Sequence, residues 1–187
     1  MKKAIALLLA LVMVFALCAC GGDGGSASGD KVVKIGVFEP ASGDSGAGGK
    51  KEMLGMQYAN QETPTVEIGG ETYKVELVYS DNGSDSAKAV SAASKLVNEK
   101  VSLVLGSYGS GVSIAASDTF KQAGIPAIGV TCTNPNVTAG NSHYFRICFL
   151  DPFQGTVLAN YAAKELKAVK AYCLGENGNE YDQGLVT

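Results

Sequence analysis

The chain has 187 residues, with 15 lysines and arginines, 18 aspartates and glutamates, and a formal net charge of -3. An acidic chain without a long run of basic residues is not expected to bind nucleic acid. It contains a single histidine, which leaves few nitrogen ligands for a metal, and we expect no metal and no cofactor.

Residues 1–19 have the organisation of a secretory signal. Lys2 and Lys3 precede an apolar run from Ala4 to Ala16, which is too short to span a bilayer and fits the apolar region of a signal peptide. The next four residues, LCAC, resemble the lipobox of bacterial lipoproteins, which implies cleavage before Cys20 and lipidation of that cysteine. The alternative is a plain signal peptide without a lipid.

Residues 20–30 are interpreted as the lipidated Cys20 followed by a flexible tether. The segment GGDGGSASGD is rich in glycine and serine, and no residue before Val32 is able to build a core. We therefore expect a soluble domain that a lipid anchor holds on the extracytoplasmic face of the cell membrane.

Short apolar runs of strand length recur along the rest of the chain, each followed by a polar or glycine-rich turn. A further strand is expected in YFRICF, and a hairpin in VEIGGETYKVEL, where Gly69 and Gly70 permit a tight turn. The other predicted strands are residues 32–38, 73–79, 102–106, 125–130 and 170–175.

Helices are predicted between most of these strands from apolar stripes. The stripes are Val90, Ala93 and Val97 for residues 86–98, Val112, Ala116, Phe120 and Ala123 for residues 110–123, and Leu158, Ala162 and Leu166 for a third helix. Gly124 and Pro126 end the second helix. Strands that alternate with helices indicate an α/β fold with a doubly wound parallel sheet, which binds ligands outside the carboxyl ends of its strands.

The segment VLGSYGSGVSIAASD, residues 104–118, places a glycine and hydroxyl run between a predicted strand and a predicted helix. Backbone N–H groups at the start of a helix attract an anion. Phosphate would also need a nearby lysine or arginine, and residues 104–119 contain neither. A carboxylate is therefore the expected guest.

Enzymatic motifs do not fit this edge of the sheet. Ser107 and Ser110 both lack the G-x-S-x-G pattern of a nucleophile elbow. The segment GDSGAGGKK, residues 43–51, departs from a P-loop because Lys51 replaces the required serine or threonine, so it is interpreted as a glycine-rich binding turn or a plain connection. His143 has no second histidine and no clear acid partner, so we expect it at the surface.

Three cysteines remain after Cys20, at Cys132, Cys148 and Cys173. Their spacing matches no zinc pattern, and an odd number gives no disulfide framework. They are most simply interpreted as buried small apolar residues, although one pair could form a disulfide in an oxidising compartment.

Five segments together resemble one known family. SGDSGAGG, GSYGSGVSIAASD, AGIPAIGVTCTNPNVT, YFRICFLDPFQG and NEYDQG occur in the order and spacing of periplasmic amino-acid-binding proteins of the leucine, isoleucine and valine type, the receptors of ATP-driven importers. The resemblance covers residues 31–187. It implies a type I periplasmic-binding fold whose two lobes close on an amino acid, branched-chain aliphatic by default, with an ABC permease and its ATPase subunits as partners.

The resemblance also implies how the chain is divided. Residues 31–150 correspond to an incomplete lobe one, and residues 151–187 to the start of lobe two, which is truncated. We expect this chain alone to bind no amino acid more tightly than about millimolar, because both charges of a buried zwitterion need partners.

The family's ligand site corresponds to five residues here. The resemblance implies that Ser110 binds the ligand's α-carboxylate, with Gly109 beside it at the helix start. It implies that Thr133 contacts carboxylate and ammonium, that the Thr131 carbonyl accepts from the ammonium, and that Tyr181 lines the pocket. The alternative for Ser110 and Thr133 is helix capping and turn bonding.

Three departures from the family pattern alter the expected pocket. Gly48 stands where relatives carry an aromatic residue, Asp182 where a glycine is common, and Cys132 where a smaller residue is usual. Asp151 and Gln154 are expected at the crossover between lobes and not at the ligand.

Two other functions stay open: a sensory ectodomain of the same fold, and an extracellular serine hydrolase with its base supplied from outside this sequence.

Overall fold

The computed structural model of the protein describes residues 31–186. The predicted signal and tether, residues 1–30 with Cys20, lie outside the described residues. Within residues 31–186, none of the helices combines the length and the apolar character that crossing a membrane requires.

A six-stranded sheet runs through the described chain in the order β2-β3-β1-β4-β5-β6. Its strands are β1 (Val32–Glu39), β2 (Thr65–Ile68), β3 (Glu71–Asp81), β4 (Leu103–Leu105), β5 (Ala127–Gly129) and β6 (Tyr144–Arg146). Every neighbouring pair is parallel except β2 and β3, which form the predicted hairpin. Gly69 and Gly70 both have a positive φ in its turn. The predicted doubly wound parallel sheet is confirmed.

Within residues 31–186, five α-helices accompany the sheet: α1 (Gly46–Glu62), α2 (Ser86–Asn98), α3 (Ser110–Ala123), α4 (Asp151–Lys164) and α5 (Glu180–Val186). The bounds of α2 and α3 agree with the prediction. Asp85 caps α2, because its carboxylate accepts from Ala87 N and Lys88 N at 2.8 and 2.9 Å. Gly124 ends α3 in the left-handed conformation, with a φ of 68°.

The strand order reverses beside β1. The chain passes from β1 to β3 on one side and then crosses back to β4 on the other, so the loops after β1 and β4 diverge. Right-handed crossovers place α1 on one face of the sheet and α2 and α3 on the other. Doubly wound sheets bind ligands in the crevice at this switch point.

The apolar core lies between the sheet and the pair α2 and α3. The rings of Phe38 on β1 and Phe120 on α3 are fully buried and meet edge to face, with centroids 5.5 Å apart. At Gly36 an added Cβ would lie 3.1 Å from side-chain atoms of Leu96 and Val104, so glycine lets these side chains pack close to β1.

One predicted core position in α2 and one in α3 are wrong. Val90 is 44% exposed, because the buried stripe of α2 begins one residue earlier, at Ala89. Ala123 is exposed in the last turn of α3, since the buried face of that helix ends at Phe120. In α2 the buried face is therefore rotated relative to the prediction, whereas in α3 the predicted face is correct and only its last position is not buried.

The strand predicted at residues 170–175 is also wrong. This segment is irregular, and Tyr172 and Leu174 are almost fully exposed. An apolar run forms a strand only where a neighbouring strand accepts its backbone hydrogen bonds, and no described strand adjoins this one. The third predicted helix is present as α4, but Leu158 is exposed and Leu166 lies beyond the helix end.

The glycine-rich turn predicted at residues 43–51 is shorter than expected, because α1 already begins at Gly46. A Cβ added to Gly49 would lie 2.2 Å from the carbonyl oxygen of Pro40. Glycine at that position therefore lets α1 approach the end of β1. Only the residues before α1 form a turn.

Candidate functional site

A cleft of about 610 Å³ opens at the carboxyl ends of the strands. Residues of the loops after β4 and β5 line one side, and residues before and within α5 line another. The structure brings all five predicted ligand residues to this cleft: Gly109, Ser110, Thr131, Thr133 and Tyr181.

Ser110 is the first residue of α3 and is 2% exposed. Its Oγ accepts a hydrogen bond from Asn134 N at 3.2 Å, which joins the loop after β5 to the start of the helix. Among the described residues, no side chain caps the N-terminus of α3, which Gly109 precedes. The first N–H groups of α3 thus lack a side-chain acceptor beside the cleft, where the helix dipole favours an anion.

Thr133 lies in the loop after β5 and is 5% exposed. Its Oγ1 is buried and has no hydrogen-bond partner among the described residues. Leaving such a group unsatisfied costs roughly 1–3 kcal/mol. A molecule that enters the cleft and bonds to this hydroxyl would remove that cost.

Two glutamates that the sequence analysis missed connect the loops around the cleft. Glu39 ends β1, is 1% exposed, and accepts from Tyr108 N through Oε2 at 2.7 Å. Glu52 on α1 accepts from the Thr131 hydroxyl through Oε1. The other two oxygens, Glu39 Oε1 and Glu52 Oε2, are buried without another partner in the described chain, and the two carboxyl groups hydrogen-bond to each other.

A single proton shared between Glu39 and Glu52 allows one carboxyl group to donate a hydrogen bond to the other. Burial, followed by the hydrogen bond and the charge of Glu52, raises the pKa of Glu39 to about 10. Glu39 is therefore protonated at neutral pH and donates to Glu52. The pair links the end of β1 and α1 to the loops that carry Tyr108 and Thr131.

Arg146 on β6 organises the loop that carries Thr133, and it is the only arginine in the chain. Its guanidinium donates four hydrogen bonds of 2.7–3.2 Å to oxygen atoms of Cys132, Asn134, Pro135 and Thr138. These bonds fix the backbone on both sides of Thr133. The signal that sequence reasoning overlooked was a lone arginine, in a predicted strand, close to the site in the sequence.

Gly48 makes room for an aromatic ring from another loop. A Cβ added at Gly48 would lie 2.6 Å from the ring of Tyr108, which itself lines the cleft. The cleft wall next to Gly48 therefore still has an aromatic residue, although Gly48 itself departs from the family pattern. Tyr108, on the loop after β4, covers the position instead.

The opposite wall of the cleft includes Tyr181, whose hydroxyl accepts from Gln154 Nε2 at 2.7 Å. Gln154 lies in the first turn of α4, where the sequence analysis expected it, and its side chain also lines the cleft. The first turn of α4 places its side chain against α5. Asp151, at the start of α4, is fully buried, and neither of its carboxylate oxygens has a hydrogen-bond partner in the described chain.

In the described chain, the Ser110 hydroxyl accepts from a backbone N–H group and has no hydrogen bond to a side-chain base. His143 is half-buried in the turn before β6, with its Nδ1 3.1 Å from Ser142 Oγ. Across residues 31–186, histidine, cysteine, aspartate and glutamate side chains form no group of three or more that could hold a metal ion.

Known proteins share this fold and much of this sequence. The chain is 34% identical over 170 residues to Leu/Ile/Val-binding protein homolog 2 of Brucella abortus, an alignment that covers 90% of this chain and 45% of that protein. A leucine-binding protein, LivK, from Thermotoga maritima has 36% identity and a TM-score of 0.78, over 83% of this chain and 43% of that structure.

A second solved structure is the branched-chain amino acid transporter substrate-binding protein LivJ from Streptococcus pneumoniae, in complex with isoleucine. Its identity to this chain is 33% and its TM-score 0.76, over 83% of this chain and 45% of that one. The chain thus spans less than half the length of these relatives, all of which are named as binding proteins.

The family model described as periplasmic binding protein matches residues 32–187. Its extent agrees with the doubly wound sheet that begins at Val32 and with the cleft at the carboxyl ends of the strands. The resemblance seen in the sequence is confirmed, and the chain belongs to the periplasmic binding protein family.

Proposed function

We propose that this chain carries one lobe of an extracytoplasmic receptor that captures an amino acid, branched-chain aliphatic by default, for an ABC permease and its ATPase subunits. One observation carries the proposal: among residues 31–186 the buried hydroxyl of Thr133 has no partner and the start of α3 has no side-chain cap, and both line the same cleft. A carboxylate is the ligand group that accepts from both.

The α-carboxylate of the ligand would accept hydrogen bonds from the N–H groups after Gly109, from the Ser110 hydroxyl and from Thr133. Charge-assisted bonds of this kind are stronger than those between neutral groups, and the helix dipole adds to them. The ammonium would donate to the backbone carbonyl of Thr131. Asn134 N already holds the Ser110 hydroxyl at the start of α3, and Arg146 already holds the loop that carries Thr133, so little ordering is needed when the ligand binds.

The preference for an aliphatic side chain rests on the cleft wall and on relatives. Tyr108 and Phe149 line the cleft and offer apolar surface. The Thermotoga maritima relative is named for leucine, and the Streptococcus pneumoniae relative was solved with isoleucine. Tyr181 would add a wall from the other side.

The variant Ser110→Ala tests the carboxylate site. The loss of one hydrogen bond to a charged group should weaken L-leucine binding by about 1.5–3 kcal/mol, which is roughly ten- to one-hundredfold. The measurement is a nuclear magnetic resonance titration of the isotope-labelled chain. Ser117→Ala, in the same helix but outside the cleft, is the matched control and should bind as the parent does. Equal affinity in Ser110→Ala and Ser117→Ala would contradict the assignment.

Membrane anchoring through Cys20 is the second part of the proposal. The variant Cys20→Ala should remove the lipid attachment site and move the protein from the membrane fraction to the soluble extracytoplasmic fraction. Cys18→Ala is the matched control and should leave the protein in the membrane fraction. Membrane retention of Cys20→Ala, without incorporation of labelled fatty acid in either protein, would rule out the anchor.

A further inference from the structure

Two of the three described cysteines meet at the edge of the cleft. Cys132 follows β5 and Cys148 follows β6, which are neighbouring parallel strands paired at Gly129 and Arg146. The side chains of Cys132 and Cys148 are close enough for each to shift the pKa of the other, and both are free thiols. Cys173 lies in the exposed segment after α4.

The backbone around the two cysteines is held in place. Ile147 N donates to Gly129 O at 3.1 Å, which extends the pairing of β5 and β6 up to Cys148. Arg146 donates to the carbonyl oxygen of Cys132 at 3.0 Å. Within this arrangement Cys132 is fully buried, whereas Cys148 is half-buried and lines the cleft. Solvent and small solutes therefore reach Cys148 first.

The two thiols have unequal reactivity. The hydrogen bond from Cys132 and the charge of Arg146 lower the pKa of Cys148 to about 7, against the effect of burial. The contact with Cys148 and burial raise the pKa of Cys132. Cys148 is thus the thiol that carries a substantial thiolate fraction at neutral pH.

We propose that Cys132 and Cys148 form a reversible disulfide at the edge of the cleft when the chain meets a disulfide oxidant outside the cytoplasm. The arrangement places an accessible attacking thiol, Cys148, next to a buried resolving thiol, Cys132, at the ends of paired strands. The buried thiol needs no access to solvent, because its target is the neighbouring sulfur.

The exchange balances in two steps. The Cys148 thiolate attacks one sulfur of a small disulfide, which breaks the bond between the two oxidant sulfurs, forms a mixed disulfide and releases one thiolate. Cys132 then attacks Cys148 Sγ, which displaces the second oxidant sulfur as a thiolate. The two thiolates leave with the protons lost by Cys132 and Cys148. The protein pair is oxidised by two electrons, and the oxidant is reduced to two thiols.

A disulfide between Cys132 and Cys148 would change the wall of the cleft. It would join the Thr131–Thr133 loop covalently to the end of β6, and it would remove a thiol from the cleft lining. Because Cys132 is flanked by Thr131 and Thr133, the redox state of the pair and the shape of the proposed carboxylate site would be linked.

The test is peptide mapping of the full 187-residue chain after treatment with oxidised glutathione. Free thiols are blocked with N-ethylmaleimide at acidic pH, and the chain is digested with trypsin without reductant. Cleavage after Lys121, Arg146, Lys164 and Lys170 places the three cysteines in three separate peptides. The expected product is residues 122–146 linked to 147–164, with a mass about 2 Da below the sum of the two reduced peptides because two hydrogens leave.

Two variants complete the test. Cys173→Ser should give the same linked peptide in the same yield, whereas Cys148→Ser should leave Cys132 as a maleimide adduct. Recovery of Cys132 and Cys148 as separate adducts from the treated parent would overturn the proposal. A link from either of them to Cys173 as the main product would overturn it as well. Both readouts are independent of amino acid binding, so they are unaffected if the proposed receptor function fails.

Discussion

The variant Glu39→Gln is expected to be more stable than the parent near neutral and alkaline pH, by about 2–4 kcal/mol at about pH 8. An unfolded glutamate loses its proton near pH 4.3, whereas the pKa of Glu39 in the folded protein is raised to about 10. The folded state therefore binds one more proton than the unfolded state between those values.

The sign of the pH dependence follows from this difference. The contribution of Glu39 to stability is fully present below about pH 4, falls by up to about 1.4 kcal/mol per pH unit above it, and is lost once the pH passes about 10. Glutamine copies the protonated carboxyl, because its oxygen accepts from Tyr108 N and its N–H donates to Glu52. It needs no proton from solution, so the decline should be absent.

Urea denaturation of parent and variant at about pH 5 and about pH 8 measures the effect. Other groups that titrate in this range affect both proteins alike, so the difference between the two free energies of unfolding reports the contribution of Glu39. The exposed Glu62→Gln is the matched control and should change stability by less than about 0.5 kcal/mol at both values. A variant less stable than the parent at about pH 8, or a parent whose advantage grows with pH, would contradict the shared proton.

The variant Arg146→Ala is expected to lose about 3 kcal/mol of folding free energy. Hydrogen bonds to charged groups contribute roughly 1.5–3 kcal/mol each, but bonds that share one side chain are not additive. Without the guanidinium, the carbonyl oxygens of the loop that carries Thr133 lose their donor. The loop should also become mobile, which would weaken any binding to Thr133.

The variant Arg146→Lys keeps the positive charge but lacks the planar guanidinium, so it separates the effect of charge from the effect of hydrogen-bond geometry. An ammonium group cannot reproduce the planar fork that reaches several oxygens at once, so lysine should recover less than half of the lost stability. Lys121→Ala removes a single exposed contact to Gly140 O and should cost less than about 1 kcal/mol. Urea denaturation measures all three variants. Arg146→Ala within about 0.5 kcal/mol of the parent would show that the loop does not depend on the guanidinium.

Local sequence patterns were sufficient where local interactions decide the structure. The bounds of α2 and α3 follow from residues next to them in the chain, such as Asp85 and Gly124. The predicted ligand residues came from the family resemblance, and the fold brings all five to one cleft because they follow strands or begin helices at the same sheet edge. The strand predicted at residues 170–175 was wrong because a strand needs a neighbouring strand as its hydrogen-bond partner, and a local sequence pattern does not reveal that partner.

The residues that support the site were beyond such reasoning. Glu39 bonds to Tyr108, which is 69 positions further along the chain, and Glu52 bonds to Thr131, 79 positions away. The close approach of Tyr108 to Gly48 is equally non-local. A glutamate at the end of an apolar strand looks like an ordinary surface residue until the opposing carboxyl is placed beside it.

The most direct test of the central claim, that the cleft binds a carboxylate at the start of α3 and at Thr133, is a resonance titration with three related compounds. L-leucine has both charged groups, 4-methylpentanoate only the carboxylate, and isopentylamine only the ammonium. We predict saturable shifts of the amides from Ser110 to Val112 and of Thr133 with the first two, at dissociation constants of about millimolar, which is about 4 kcal/mol. Shifts at these amides with isopentylamine but not with 4-methylpentanoate would contradict the account.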